Sequence, residues 1–226
     1  MLLCILGFWG TQPRLAEAEE ANIEHDGEPV STMDLLKNKM FLYYLVTALL
    51  FTAVTGATYS FAPAYLTSLG MEASLASTIL SVAAICELPF ILLSSKFMDR
   101  VSNKVLLIGC SVLLVLQMAT YGLGLPLPVV IVITLLCKHP PVILNIMANM
   151  KVVNTIVDPR QQIVALSIVK AVQMLGTIVS NNIGGRIIDS MGYGPMFLFL
   201  LALIAAELML LLPYRIPSGN DKKLFS

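Results

Sequence analysis

The sequence predicts an all-α membrane protein, a bundle of six transmembrane helices arranged as two inverted three-helix repeats. Three observations carry this. First, 57% of the 226 residues are hydrophobic and only 12% are charged, and the mean hydropathy of +0.83 lies outside the soluble globular range. Second, six apolar runs follow one another between residues 40 and 212, each close to the roughly 20 residues that cross a hydrocarbon layer. Third, basic residues collect in alternate connections, as orientation by positive charge requires.

Charge excludes some functions. Lys+Arg and Asp+Glu both number 14, no basic block suggests nucleic acid, and none is expected as a partner. Cys4, Cys86, Cys110 and Cys137 sit inside apolar runs without metal-ligand spacing and read as small buried hydrophobes. No Walker loop, zinc spacing or nucleophile elbow occurs in the chain, so neither an enzyme, a cofactor nor a metal centre is expected.

Taken in order, residues 1–10 are apolar but too short to span, and lack the basic start and small-residue cleavage site of a signal peptide. They read as the end of a preceding transmembrane helix. Residues 11–39 hold Glu17, Glu19, Glu20, Glu24, Asp26 and Glu28 and read as a cytoplasmic acidic linker. The bundle is expected over 40–213, with spans at 40–66, 74–98, 105–123, 127–150, 163–183 and 194–212, and a cytoplasmic tail over 214–226. Lys37 and Lys39, then Lys96, Arg100 and Lys104, then Lys151 and Arg160, then Arg215, Lys222 and Lys223 fall on one side of the membrane. Both termini are therefore expected in the cytoplasm, with Met71, Leu125 and Ser190 outside. The glycines at 184–185 and 192–194 read as brackets of a tight connection between the last two spans. A short echo supports the inverted repeat: Lys96 and Asp99 follow the second span as Arg186 and Asp189 follow the fifth.

The fourth span is the most informative. Lys138, His139, Pro140 and Pro141 stand near its middle, where a cation costs about 2.5–3.5 kcal/mol on insertion scales and seldom faces lipid. The prolines remove backbone donors and free carbonyls one turn earlier, which is tolerated beside other helices or cavity water. Thr134, Lys138, Val142, Asn145 and Asn149 recur at helical spacing and put the polarity on one face. The plain alternative is a stripe that packs against a partner helix. Lys170, Gln173, Thr177 and Asn181 make a second stripe in the fifth span, and Thr52, Thr55 and Tyr59 a third in the first. The first, second, fourth and fifth spans are thus expected to wall a cavity, with the third and sixth as outer supports. Substrate-pathway candidates are Thr55, Tyr59, Glu87, Lys138, Asn145, Lys170, Gln173 and Asn181. Glu87 is the acid at mid-span in a wall helix. It is either a proton carrier or one half of a static pair with Lys138 or Lys170. Glu207, nearer a span end, reads as structural.

The stretch Ser95-Lys96-Phe97-Met98-Asp99-Arg100-Val101-Ser102-Asn103-Lys104 resembles the cytoplasmic loop signature of the major facilitator superfamily, with Asp99, Arg100 and Lys104 matching the gating motif and Ser95 in place of its glycine. The run from Gly184 to Tyr193 resembles the connection between the last two helices of the same superfamily. The resemblance implies the C-terminal half of a twelve-helix permease, with a missing N-terminal six-helix half or a dimer partner, working by alternating access. It is closest to the sugar-proton and nucleoside-proton symporter branch. Lys138 matches a position where that branch often has a polar or titratable residue. Pro141 stands where one type has its proton-carrying carboxylate, which leaves that role to Glu87. The expected function is a secondary transporter for a small polar solute, with protons as the candidate coupling ion, in the bacterial inner membrane. The alternative is a non-transporting six-span protein, an assembly partner or permease remnant.

Overall fold

A computed structural model describes residues 32–85, 88, 89, 92 and 101–214. The described residues are helical, with turns between. The expected fold class, an all-α bundle of apolar helices, is what the chain forms. Among the described residues five helices, counting the broken fourth as one, have the length and hydropathy to cross a membrane. The second expected span is represented by the shorter apolar helix Ala73–Ile85, and its continuation lies outside the described residues.

Helix α1 (Thr32–Lys37) leads into α2 (Lys39–Ser68) through Asn38, whose side-chain oxygen accepts from the amides of Met40 and Phe41 at 3.0 and 3.3 Å. Those amides have no intrahelical acceptor, so the cap fixes where α2 begins. Gly70, at φ +89°, turns the chain into α3 (Ala73–Ile85). Ser102 caps α4 (Asn103–Gly122), and Gly124 at φ +63° precedes α5 (Leu127–Cys137). Then come α6 (Pro140–Ile156), a 3-10 turn (Pro159–Gln161), α7 (Gln162–Met191) and α8 (Tyr193–Leu211).

Two expectations are corrected here. Gly184 and Gly185 do not open a loop, because α7 runs through them to Met191 and stops only at Gly192, φ +88°. Gly184 is buried against Phe61, whose ring edge would stand 3.0 Å from an added Cβ. Close packing, not chain reversal, is what this glycine serves. Arg186 and Asp189 accordingly lie on the last turns of a helix. Lys151, expected as a surface charge beyond the fourth span, sits inside α6, is 2% exposed and donates to the Val101 carbonyl at 3.0 Å.

Packing is organised around two helix pairs. In the first, α2 crosses α7 so closely that a Cβ at Gly176 would stand 2.8 Å from the Leu49 carbonyl oxygen, and one at Gly56 would stand 2.5 Å from Thr177. In the second, α4 lies along α8, and α4 also packs on α6. Aromatic rings weld the pairs at one end, with Tyr65, Tyr121 and Phe197 at mutual centroid distances of 5.1, 4.8 and 4.8 Å. The Tyr65 hydroxyl donates to the Tyr121 carbonyl at 3.0 Å.

The opposite end is tied by side chains that satisfy carbonyls at helix ends. Tyr43 donates to Leu210 at 2.7 Å, Tyr214 to Met40 at 2.6 Å, and Asn38 to Ile156 at 3.2 Å. Lys104 donates to the Leu212 carbonyl. The Leu210, Ile156 and Leu212 carbonyls stand at helix C-termini, which carry unsatisfied carbonyls and partial negative charge, so amines, amides and hydroxyls stabilise them there; Met40 is in the first turn of α2.

Candidate functional site

The fourth span is a broken helix. Pro140 and Pro141 cannot donate to the carbonyls of Leu136 and Cys137, and the backbone passes between α5 and α6 through Lys138 and His139 in near-helical angles. Hydrogen bonding resumes when Val142 and Ile143 both donate to the His139 carbonyl, at 3.0 and 3.2 Å. The break therefore sets two polar side chains at a point where the helix backbone has spare acceptors.

Around that break the predicted residues converge. Lys138 is 5% exposed, and its ammonium lies 5.0 Å from the centre of the Tyr59 ring. The Tyr59 hydroxyl is 3.1 Å from His139 Nδ1, and the two rings meet edge to face at 5.6 Å. Thr55, Thr58, Gln117 and Val142 complete a narrow crevice. The Thr55 hydroxyl is already given to its own helix, donating to the Phe51 carbonyl at 3.2 Å. A cation over an aromatic face gains about 0.5–2 kcal/mol, whereas burying an ammonium costs several. Lys138 is thus under-compensated by its described surroundings. In the same crevice Gln117 Oε1 is buried without a hydrogen-bond partner among the described residues.

Two hydrogen-bond chains flank the crevice. In one, Gln117 Nε2 donates to the Tyr121 hydroxyl at 3.1 Å, Tyr121 pairs with Thr134 Oγ1 at 2.6 Å, and Thr134 donates to the Val130 carbonyl at 2.6 Å. In the other, the Tyr44 hydroxyl donates to Asn149 Oδ1, and Asn149 Nδ2 donates to Asn145 Oδ1 at 3.1 Å. The stripe of the fourth span is therefore divided. Thr134, Asn145 and Asn149 bind neighbouring side chains, while Lys138 lines the crevice and His139 meets Tyr59 of its wall.

On α7, Gln173 is 6% exposed and Lys170 is exposed, both lining a separate groove against α6. Asn181 is half-buried, with Oδ1 enclosed and unpartnered among the described residues. Lys104 lies at the tied end with the α8 carbonyls. Glu87, Asp99 and Arg100 lie outside the described residues.

Three features escaped sequence reading. Gln117 brings the third span, expected as an outer support, into the wall of the crevice. Tyr44 is one member of an all-apolar-looking run, yet anchors Asn149. Glu207 is 2% exposed beside Cys110 and the Ser111 hydroxyl, with Oε2 unpartnered. Only the polar residues at helical spacing in the third span, Gln117, Thr120 and Tyr121, gave a signal.

Comparison with curated protein sequences found no match. The model of the MFS_1 like family matches residues 1–201, a stretch that includes α1 to α7, the broken fourth span and the first turns of α8. The chain belongs to the MFS_1 like family, within the major facilitator transporters, and is a transporter-type membrane protein.

Proposed function

We propose that the chain is a secondary active transporter bundle that moves a small polar solute by alternating access, with its termini in the cytoplasm. The observation that carries this reading is Lys138. A buried ammonium at a proline break, set over one aromatic face and beside an orphaned amide oxygen, is expensive to keep in a static bundle. It is favourable where a solute supplies the missing hydrogen bonds for part of a cycle. The crevice is too tight to hold water as it stands, which suits a closed state of such a cycle.

The solute path is completed by a second six-helix bundle, from an N-terminal half or a second copy. Support comes from α7, which presents Lys170, Met174, Leu175, Ile178 and Asn182 on an exposed face. That mixture suits neither pure lipid nor pure water. Glu87, by its place in the second span, is the proposed proton carrier of a symporter, and its support is sequence position alone.

The test is solute counterflow in proteoliposomes containing the purified full chain, with sugars, nucleosides and small organic acids offered in turn. Saturable counterflow that Lys138→Met abolishes, in a variant that still melts cooperatively, supports the reading. Failure of every solute in every oligomeric form recovered would favour the non-transporting alternative, and full activity of a demonstrated monomer would remove the second bundle.

A further inference from the structure

The groove between α6 and α7 has a volume of about 440 Å³ and is separate from the Lys138 crevice. Its polarity runs in a definite direction. The two helices meet through the 3-10 turn at one end of the bundle, so depth is counted from Ile156 and Gln162. At 1.5 Å per residue, Ile163, Leu166, Ser167 and Met150 lie within about 9 Å of that end, Asn149 and Lys170 at about 10 and 12 Å, and Ile146 and Gln173 at about 15 and 16 Å. The mouth is mostly apolar, and the ammonium and both amides lie deeper, with Ile146 beside them.

That order is the reverse of a membrane leaflet. A phospholipid would lay its acyl chains against Lys170 and Gln173 and its headgroup against Leu166 and Met150. A molecule that fits must enter with its polar group leading.

The inner end is short of acceptors. Among the described residues, neither the Lys170 ammonium nor the Gln173 side-chain amide has a hydrogen-bond or ion-pair partner, although Gln173 is only 6% exposed. Asn149 adds a second amide hydrogen, because Nδ2 has given only one, to Asn145. Among the described residues, no carboxylate lines the groove. Asp158, at the mouth, is exposed and accepts from the Arg160 amide at 2.9 Å. One ammonium and two amides at this depth can compensate a single negative charge; a dianion such as phosphate would bring one charge too many out of water.

We propose that this groove binds a monoanionic organic acid head-first, the carboxylate against Lys170 and Gln173 and a compact apolar body along Met150, Leu166 and Ile163. The inference deepens the transporter reading and rests on it only for the solute's route onward. Gln173 gives direction to the carboxylate, and Lys170 supplies the charge that separates an acid from its amide.

The experiment follows fluorine NMR of 4-(4-fluorophenyl)butyrate with the purified full chain in phosphatidylcholine nanodiscs, with empty nanodiscs subtracted. Saturable line broadening is expected, and the corresponding neutral amide should bind about tenfold or more weaker. Lys170→Gln should weaken the acid about tenfold and leave the amide unchanged, while Lys170→Arg should stay within about threefold of the wild type. Lys170 is exposed, so an unchanged melting curve accompanies each variant.

Equal binding of acid and amide, or acid binding indifferent to Lys170→Gln, would overturn the proposal. Competitive displacement by phosphatidylglycerol in the disc would overturn it too and give the groove to lipid. Because binding is read without transport, the two readings fail separately. Acid binding without counterflow leaves the groove and removes the transporter. Counterflow of a neutral solute without acid binding does the opposite.

Discussion

Replacing Gly176 by alanine tests the α2–α7 crossing most directly. The new Cβ would stand 2.8 Å from the Leu49 carbonyl oxygen and 3.2 Å from Leu49 Cγ. Ordinary contact begins near 3.4 Å, so the helices must separate by about 0.6 Å, and the obstacle is backbone that no rotamer change can move. Helix propensity favours alanine by about 1 kcal/mol, so any loss of stability measures packing. Overpacking of this kind costs about 1–3 kcal/mol, or a fall in melting temperature of roughly 2–12 °C for a chain of this size. Gly56→Ala makes a contrast. Its Cβ meets the Thr177 side chain at 2.5 Å, and Thr177 is held by its hydroxyl near the carbonyls of Gln173 and Thr52 at 3.2 and 3.4 Å. Here the obstacle is removable. The double variant Gly56→Ala with Thr177→Ala should recover at least about 1 kcal/mol relative to the sum of the singles, whereas no side-chain change should rescue Gly176→Ala. Thermal unfolding in one detergent reads all four variants against the wild type. A Gly176→Ala melting point within about 1 °C of the wild type, or strict additivity at Gly56 and Thr177, would refute the close crossing.

Lys138→Met should abolish counterflow yet hold or raise the melting temperature, since an apolar residue of similar length removes a buried charge; a lower melting temperature would show the lysine to be a structural group. Tyr121→Phe strips the link between Gln117 and Thr134 and should cost about 1–3 kcal/mol, read as lost thermal stability, with no change expected from Phe at the exposed Tyr59. Glu87→Gln should stop pH-driven accumulation and spare solute exchange; unchanged proton-driven uptake removes Glu87 from the mechanism. For orientation, single cysteines at Met71, Leu125 and Ser190 should react with an impermeant reagent from one side and a cysteine at Ser102 from the other, and labelling of 71 and 102 from the same side would overturn the topology.

The spans were legible because lipid demands long apolar runs that close their own backbone hydrogen bonds. The first was expected over 40–66 and is Lys39–Ser68; the sixth was expected over 194–212 and is Tyr193–Leu211. Ends were less legible where packing overrides local preference. Gly184 and Gly185 look like a stop, but burial against Phe61 keeps the fifth helix going to Gly192. The break at Lys138 could be read from proline chemistry alone. Its surroundings could not, because the ring beneath the ammonium comes from Tyr59, 79 positions earlier, and no local period encodes that meeting. Lys151 shows the same limit from the other side. Charge counting reads it as a marker of orientation, and only the fold shows that its amine caps the backbone at Val101.

The two halves of the broken span share α4 as a support but are fastened differently. The first half, α5, is fastened to α4 through Thr134 and Tyr121. The second half, α6, is fastened to α2 as well, through Asn149 and Tyr44, and Asn103 of α4 reaches its last turn at Thr155 over 3.4 Å. Between them the carbonyls of Leu136 and Cys137 have no ladder donor to lose, so bending at the joint breaks none of these fastenings. A displacement of α2 pulls directly on α6 through Tyr44 and Asn149, and the place where the two halves can turn relative to each other is the two-residue joint that carries Lys138 and His139.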